Sequence, residues 1–121
     1  MNPKTLIISL LVIIFLLGGG AWFLSKSPAN QSKEYTQFAQ CLAQKKLTMY
    51  GAEWCSHCQN EKKLFGSAWQ YVPYVECPAN PQVCLENGVS GYPTWIDSTG
   101  NKYEGEQGLE GLSRISGCQL P

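Results

Sequence analysis

The chain has 121 residues, which is enough for one small domain and a short additional segment. Nine basic and nine acidic residues give a formal net charge of zero, and the sequence contains no basic block or stripe. The charge pattern of a nucleic-acid-binding protein is therefore missing, and we expect no nucleic-acid partner.

The N-terminal segment is apolar from Thr5 to Leu24 and carries no charged residue. About 20 helical residues cross a hydrocarbon core of roughly 30 Å, so residues 1–24 are predicted to be an uncleaved transmembrane anchor. A cleavable signal peptide is the alternative, but its apolar region is normally about 7–15 residues long. Its best cleavage site, Ser27-Pro28-Ala29, contains a proline. Residues 25–33 are polar and are predicted to be a tether.

The remaining residues, 34–121, are predicted to form one folded domain. In chain order we predict a helix over Glu34–Lys46, a strand over Leu47–Tyr50, a helix over Cys55–Trp69, a strand over Tyr71–Val75, a short helix over Pro81–Glu86, a hairpin of strands Thr94–Ile96 and Lys102–Glu104, and a last helix through Leu109, Leu112 and Ile115. Leu64, Phe65 and Ala68 are expected on the inner side of the second helix. This order predicts an α/β fold with a mixed central sheet and flanking helices.

The residues that indicate chemistry are Trp54-Cys55-Ser56-His57-Cys58, where a strand is predicted to end and a helix to begin. Unpaired N–H groups at a helix N-terminus favour negative charge, so the Cys55 thiolate should be stabilised there. Cys58 lies one turn further along and can close a small disulfide ring. The pair therefore predicts thiol–disulfide exchange, with Cys55 as nucleophile and Cys58 as the resolving thiol.

Two questions about this pair stay open from the residues alone. His57, the only histidine, either adds positive charge beside the thiolate or is a solvated surface residue. A CxxC pair also begins many zinc sites, and such a site would recruit Cys77 and Cys84. Those two are separated by six residues that include two prolines, whereas zinc ligands are usually closer together. We therefore predict no metal and no other cofactor.

Four sequence blocks occur in an order that resembles one known family. They are Met49–Cys58, Lys62–Gly66, Tyr71–Cys77 and Gly91–Trp95. Together they resemble the thioredoxin-like domain associated with bacterial vitamin K epoxide reductase homologues, here standing alone on its own anchor. The resemblance covers essentially all of residues 34–121 and implies a thioredoxin fold. The charged residues near the pair could tune the thiols or relay protons; they include Glu53, Glu61, Lys62 and Lys63. We interpret most of them as a solvated helix face and assign none of them a catalytic role.

The resemblance also implies a role in oxidative protein folding. The Cys55–Cys58 disulfide would take electrons from reduced exported proteins. It would pass them to a membrane partner that resembles vitamin K epoxide reductase and reduces a quinone.

The resemblance further implies a substrate-docking segment of Tyr92, Pro93 and Thr94, with Pro93 in the cis form and facing the redox pair. Trp54, Ser56 and His57 are expected to tune the site. The family often has proline where this chain has Ser56, which leaves the oxidising strength of the pair open.

Disulfide pairing of the other four cysteines follows partly from the resemblance, which supports a bond between Cys77 and Cys84. By elimination, Cys41 and Cys118 form a second bond, unless both are buried free thiols. Six cysteines in a small domain suit an oxidising compartment. The domain is therefore expected on the periplasmic or lumenal side of the cytoplasmic (inner) membrane, behind a single-pass anchor.

Two other functions remain open. The protein could be a membrane-anchored thiol reductant of the cytochrome c maturation type, which the same anchor and fold would serve. It could also be a non-catalytic, chaperone-like binding module that uses an apolar patch of Trp54, Tyr92 and Trp95.

Overall fold

The structure, a computed structural model, describes residues 2–18 and 28–121. It divides into two compact units, Met1–Asn30 and Gln31–Pro121. In the first unit, helix α1 spans Pro3–Gly18, and its large apolar side chains between Leu6 and Ile14 are exposed. Within the two described ranges, no helix is both long enough and apolar enough to cross a membrane. The predicted anchor continues through residues 19–24, which lie outside the described residues.

The second unit contains most of helix α2 and all the later elements. They are α2 Pro28–Gln44, β1 Thr48–Gly51, α3 Ser56–Phe65, a 3₁₀ helix Gly66–Tyr71, β2 Tyr74–Glu76, α4 Pro81–Glu86, β3 Thr94–Ile96, β4 Lys102–Glu104 and α5 Gly108–Ser116. Helix α2 begins inside the predicted tether, with Pro28 as its first residue, a position that proline tolerates well. It ends before Lys46, which has a positive φ of 56°.

The four strands form one mixed sheet in the order β2-β1-β3-β4. Strand β1 pairs in parallel with β2 and antiparallel with β3, and β3 pairs antiparallel with β4. The parallel pair requires a crossover, which α3 and the 3₁₀ helix supply. The paired residues Met49 and Trp95 are fully buried on the two central strands. The predicted α/β fold with a mixed sheet and flanking helices is confirmed.

The predicted second helix is too long. Helix α3 ends at Phe65 because Gly66 takes a positive φ of 54°, and the chain then tightens into the 3₁₀ helix. Leu64 was expected to face inward but is 43% exposed, whereas Phe65 and Ala68 are buried. Phe65 occupies the inner position because its ring stacks on Phe38 of α2 at a centroid distance of 6.0 Å.

Strand β2 begins at Tyr74 and not at the predicted Tyr71, which belongs to the 3₁₀ helix. Pro73 has no N–H and contributes only its carbonyl, which accepts from the Met49 N–H at 3.0 Å. The strand lies at the edge of the sheet, where this loss is tolerated. Helix α4, the β3–β4 hairpin and helix α5, which Gly117 ends in the left-handed conformation, lie where the sequence predicts them.

Two disulfide bonds cross-link this unit, and both join cysteines that were predicted to pair. Cys41 on α2 is bonded to Cys118 beyond α5, across a sequence separation of 77 residues. Cys77 after β2 is bonded to Cys84 on α4, across a separation of 7 residues. Because Cys77 and Cys84 are bonded to each other, they are not available as zinc ligands beside the CxxC pair.

Candidate active site

The two free cysteines lie at the junction of β1 and α3. Strand β1 ends at Gly51, and Cys55 is the N-cap residue of α3, with extended φ and ψ of −75° and 117°. The Cys55 sulfur accepts the N–H of Cys58 at 3.3 Å, so it satisfies one of the unpaired donors of the first helical turn. Cys55 is 7% exposed and Cys58 is 0% exposed. The pair is therefore asymmetric, with a more accessible first sulfur and a shielded second one.

The second sulfur lies in a tightly packed site under the first turn of α3. Burial, followed by the hydrogen bond with Cys55, raises the pKa of the Cys58 thiol to about 12. A Cβ atom built on Gly51 would lie 2.8 Å from Cys58 Sγ and 3.3 Å from a ring carbon of Tyr74. Glycine at the end of β1 therefore makes room for the Cys58 sulfur.

The predicted docking segment meets the CxxC segment through two aromatic rings. Trp54, which precedes Cys55, is 71% exposed, and its ring meets the Tyr92 ring edge-on at a centroid distance of 5.9 Å. The Tyr92–Pro93 peptide bond is cis, and Pro93 is buried. Exposed Trp54 and partly buried Tyr92 thus form an aromatic surface that begins at the residue before Cys55.

The side chain of Thr94 is buried, and its expected part in substrate docking stays a prediction. Its side chain is 1% exposed, and its hydroxyl donates to the Gly91 carbonyl at 2.8 Å. The hydroxyl therefore fixes the turn before the cis bond.

His57 is exposed and pairs with a residue that the sequence does not single out. Its Nδ1 lies 2.5 Å from the Glu106 carboxylate, between β4 and α5, and Asn60 donates to the same oxygen at 3.0 Å. The Asn60 hydrogen bond, and then the contact with His57, lower the pKa of Glu106. No local sequence pattern indicates this contact, since His57 and Glu106 are 49 residues apart. Ser56 is also exposed.

Lys62 is not the solvated residue that we expected. Its Nζ lies 3.9 Å from the centroid of the Tyr74 ring and 5.6 Å from that of Trp69, and the side chain is partly buried. Its charge also acts on the buried Cys58 thiol. Lys63, in contrast, is exposed as expected. The spacing of four residues between Cys58 and Lys62 was a usable signal, since such residues share one helix face.

Glu61 is a second residue whose environment the sequence did not reveal. It is completely buried, and its Oε1 accepts the N–H groups of Gln107 and Gly108 at 2.6 and 2.7 Å. Its Oε2 finds no hydrogen-bond partner among the described residues. Burial is the main cause that raises the pKa of this carboxyl above its ordinary value of 4.5. Glu61 therefore ties α3 to the start of α5.

A mixed sheet that places a dithiol at the start of a helix, beside a cis-proline segment, is the arrangement of a thioredoxin-type redox domain. The family model of thioredoxin matches residues 28–116. This match covers well over half of the chain, which therefore belongs to the thioredoxin family.

Several relatives of known class are similar to part of the chain. The chain is 36% identical over 81 residues to the thiol-disulfide oxidoreductase LTO1 of Arabidopsis thaliana. The aligned region covers 60% of this chain and 21% of that protein. The chain is 32% identical over 82 residues to protein disulfide isomerase-like 2-2 of Oryza sativa subsp. japonica, which covers 57% of this chain and 22% of that protein. The chain thus spans about a fifth of these relatives' length. It is a thioredoxin domain homologous to thiol–disulfide oxidoreductases.

Proposed function

We propose that this protein is a thiol–disulfide oxidoreductase of extracytoplasmic oxidative protein folding. Its Cys55–Cys58 disulfide exchanges with reduced exported proteins. The observation that carries this proposal is the free pair at the start of α3, in a domain whose other four cysteines are bonded. All six cysteines lie in the described part of the chain.

The asymmetry of the pair assigns the two sulfurs different roles. A substrate thiolate attacks the more accessible Cys55 sulfur, the Cys55–Cys58 bond breaks, and Cys58 leaves with the electron pair. A second substrate thiolate then attacks the substrate sulfur of this mixed disulfide, and Cys55 leaves as a thiolate. The substrate gains a disulfide, and the domain holds two electrons as two thiols. A disulfide of the membrane partner reoxidises the domain by the reverse sequence.

The aromatic surface of exposed Trp54 and partly buried Tyr92 suits the docking of an extended substrate segment. An exposed tryptophan beside a reactive sulfur offers apolar contact to an unfolded chain without requiring a particular sequence. The cis Pro93 lies next to this surface, and we assign the backbone around it to substrate alignment. The competing chaperone-like hypothesis assigned binding to a patch of Trp54, Tyr92 and Trp95, and it was wrong about Trp95, which is completely buried in β3. Binding by Trp54 and Tyr92 alone, without exchange at Cys55, is what remains of that hypothesis.

Three observations support the proposed location and partner. The apolar run of residues 5–24 is long enough for a membrane anchor, and the described part of α1 exposes its apolar side chains. Two disulfides in one small domain suit an oxidising compartment. The four sequence blocks support a quinone-reducing membrane partner that resembles vitamin K epoxide reductase. We therefore place the domain on the periplasmic or lumenal side of the inner membrane.

Two cysteine variants test this function. Cys55→Ser is expected to abolish oxidation of a model dithiol peptide, because the attacked sulfur is gone. Cys58→Ser is expected to accumulate a mixed disulfide between Cys55 and its partners, which gel electrophoresis without reductant detects. Recovery of a quinone-linked membrane enzyme in that adduct would support the partner. Undiminished oxidation by Cys55→Ser would exclude this mechanism.

A further inference from the structure

The exchange reaction proposed above makes Cys58 carry a negative charge while its side chain is fully buried. Cys58 is fully buried and belongs to the hydrophobic core of the domain. A thiolate in such surroundings is unfavourable unless an opposite charge or hydrogen-bond donors compensate it. A group that supplies this compensation would speed the step in which Cys58 leaves, because a better stabilised thiolate is a better leaving group.

Two groups lower the pKa of the Cys58 thiol: a backbone hydrogen bond at Ala52 and, with a smaller effect, the charge of Lys62, which is the cation that acts on this sulfur among the described residues. It lies one helical turn after Cys58 on α3, so both side chains project from the same helix face. Its ammonium group lies on the Tyr74 ring, 3.9 Å from the centroid, and is partly shielded from solvent. A partly desolvated charge is screened less than one at the surface, so its effect on a nearby sulfur is larger.

Tyr74 connects the cation to the sulfur. A Cβ on Gly51 would lie 3.3 Å from the Tyr74 ring and 2.8 Å from Cys58 Sγ, so ring and sulfur flank the same glycine. The Tyr74 hydroxyl donates to one oxygen of Glu76, whose other oxygen accepts the Glu53 N–H at 3.0 Å. The ring also packs edge-on against Trp69 at a centroid distance of 5.7 Å, a contact that does not need the hydroxyl. The Lys62 side chain therefore rests on a fixed surface and is not a freely moving surface charge.

The other titratable groups around the sulfur do not supply positive charge. Cys55 faces Cys58 from the same helix, and its thiol raises the pKa of Cys58. Tyr74 faces it from β2, with the Glu76 carboxylate at its hydroxyl. Glu61, also on α3, directs its carboxylate to the first N–H groups of α5. His57, next to Cys58 in the chain, is exposed and directs its Nδ1 to the Glu106 carboxylate. Among these groups, the cationic contribution at Cys58 comes from Lys62.

We propose that Lys62 is the positive charge that stabilises the Cys58 thiolate during disulfide exchange, and that Tyr74 is the positioning residue that holds Lys62 beside the sulfur. This inference rests on the proposed function. When a thiolate attacks Cys55 Sγ, the Cys55–Cys58 bond breaks and its electron pair moves to Cys58 Sγ. Lys62 acts through its field on that sulfur, and no proton moves in this step. Cys58 later takes a proton from water.

The reverse direction provides a direct assay of the same thiolate. The reduced full-length protein, in detergent, is mixed with an excess of Ellman's reagent. Attack by Cys55 releases the first thionitrobenzoate and leaves a mixed disulfide on Cys55. Attack by the Cys58 thiolate then releases the second, in a phase whose rate does not depend on reagent concentration. Stopped-flow absorbance over a range of pH separates the two phases.

Three variants isolate the charge of Lys62. Lys62→Met keeps an apolar side chain on the Tyr74 and Trp69 rings but removes the charge. Lys62→Arg keeps the charge, and Lys63→Met removes the neighbouring exposed charge as a matched control. We expect Lys62→Met to slow the second phase about tenfold near neutral pH and to shift its pH profile upward by about one unit. The first phase, and both phases of Lys62→Arg and Lys63→Met, should remain close to those of the unchanged protein.

A second pair of variants tests the positioning role without touching the charge. Tyr74→Phe keeps the ring under Lys62 and should leave the second phase nearly unchanged. Tyr74→Leu removes the ring and should slow that phase in the manner of Lys62→Met. A Tyr74→Leu protein with the same second phase as Tyr74→Phe would overturn the positioning role.

Other results of the same assay would overturn the proposed role of Lys62 or separate it from the proposed function. If Lys62→Met and Lys63→Met have the same second phase at every pH, or if Lys62→Met slows both phases equally, Lys62 does not act on Cys58 and the inference is overturned. A selective effect on the second phase in a protein that cannot oxidise dithiol peptides would support the inference and contradict the proposed function. The two failures are thus distinguishable.

Discussion

At the residue scale, the absence of a side chain at Gly51 leaves the space that the Cys58 sulfur occupies. Gly51→Ala would place a methyl group 2.8 Å from Cys58 Sγ, a separation at which one of the two atoms must move. We expect a loss of about 1–3 kcal/mol in the free energy of unfolding, together with slower dithiol oxidation. Urea unfolding followed by fluorescence measures the first effect.

Gly91→Ala is the matched control for stability. A Cβ at Gly91 meets no atom within 4 Å in the described part of the chain, and Gly91 does not have a positive φ. This variant should unfold at nearly the same urea concentration as the unchanged protein. Equal destabilisation by both substitutions would show that close packing at Cys58 is not the cause.

Glu61 gives a prediction for the pH dependence of stability. Because burial raises its folded-state pKa above 4.5, the folded protein binds the proton more tightly than the unfolded chain. The stability that comes from this proton is present below pH 4.5 and is lost as the pH rises through the folded-state pKa. Glu61→Gln keeps an acceptor oxygen for Gln107 and Gly108 but cannot ionise. As the pH rises through this range, the melting temperature of Glu61→Gln should therefore decline less than that of the unchanged protein.

The comparison for Glu61 uses Glu110→Gln, which removes an exposed carboxyl from α5. Because other carboxyls also titrate, the informative quantity is the difference in melting temperature between each variant and the unchanged protein. A difference that stays constant with pH for Glu61→Gln would contradict the assignment.

At the element scale, the two disulfides should differ in how much they stabilise the domain. In the loop-entropy model the Cys41–Cys118 bond, across 77 residues, contributes about 4.5 kcal/mol, and the Cys77–Cys84 bond, across 7 residues, about 2.5 kcal/mol. The longer bond also ties α2 to the chain beyond α5. Replacing both cysteines of each pair by alanine, with urea unfolding as the measurement, should show the larger loss for the first pair. Equal losses would contradict this ranking.

The elements that the sequence predicted well are those whose ends are marked by residues nearby in the chain, such as a glycine after a helix or an aspartate at a turn. Helix α5 ends at Gly117, and the β3–β4 hairpin turns at Asp97–Asn101, where the Asp97 carboxylate accepts two backbone N–H groups. The end of α3 was not predictable in this way, because apolar residues continue at helical spacing through the 3₁₀ helix. Phe65, and not Leu64, faces the core because its ring stacks on Phe38 of α2, a residue distant in sequence.

In the candidate site, too, the sequence predicted what depends on neighbouring residues and missed what depends on distant contacts. Cys55 and Cys58 were predictable because their chemistry depends on a local strand–helix junction. The surroundings of the pair were not, since the partners of His57 and Glu61 lie 46 to 49 residues further along the chain. Lys62 was misinterpreted because its aromatic neighbours come from the 3₁₀ helix and β2.

At the scale of the whole molecule, the proposed anchor makes a prediction about location. The full chain should remain with the membrane fraction after an alkaline carbonate wash, and deletion of residues 1–24 should release a folded domain. Protease added to intact spheroplasts should digest the domain if it faces the periplasm. Complete protection in intact spheroplasts, with digestion only after lysis, would contradict the proposed orientation.

The proposed direction of electron flow depends on one property of the whole domain. We would measure the reduction potential of the Cys55–Cys58 pair in glutathione buffers. We expect a value of about −120 to −200 mV, the range of disulfide oxidants and isomerases. A value near about −270 mV, typical of thioredoxin, would contradict disulfide donation and would favour a membrane-anchored thiol reductant.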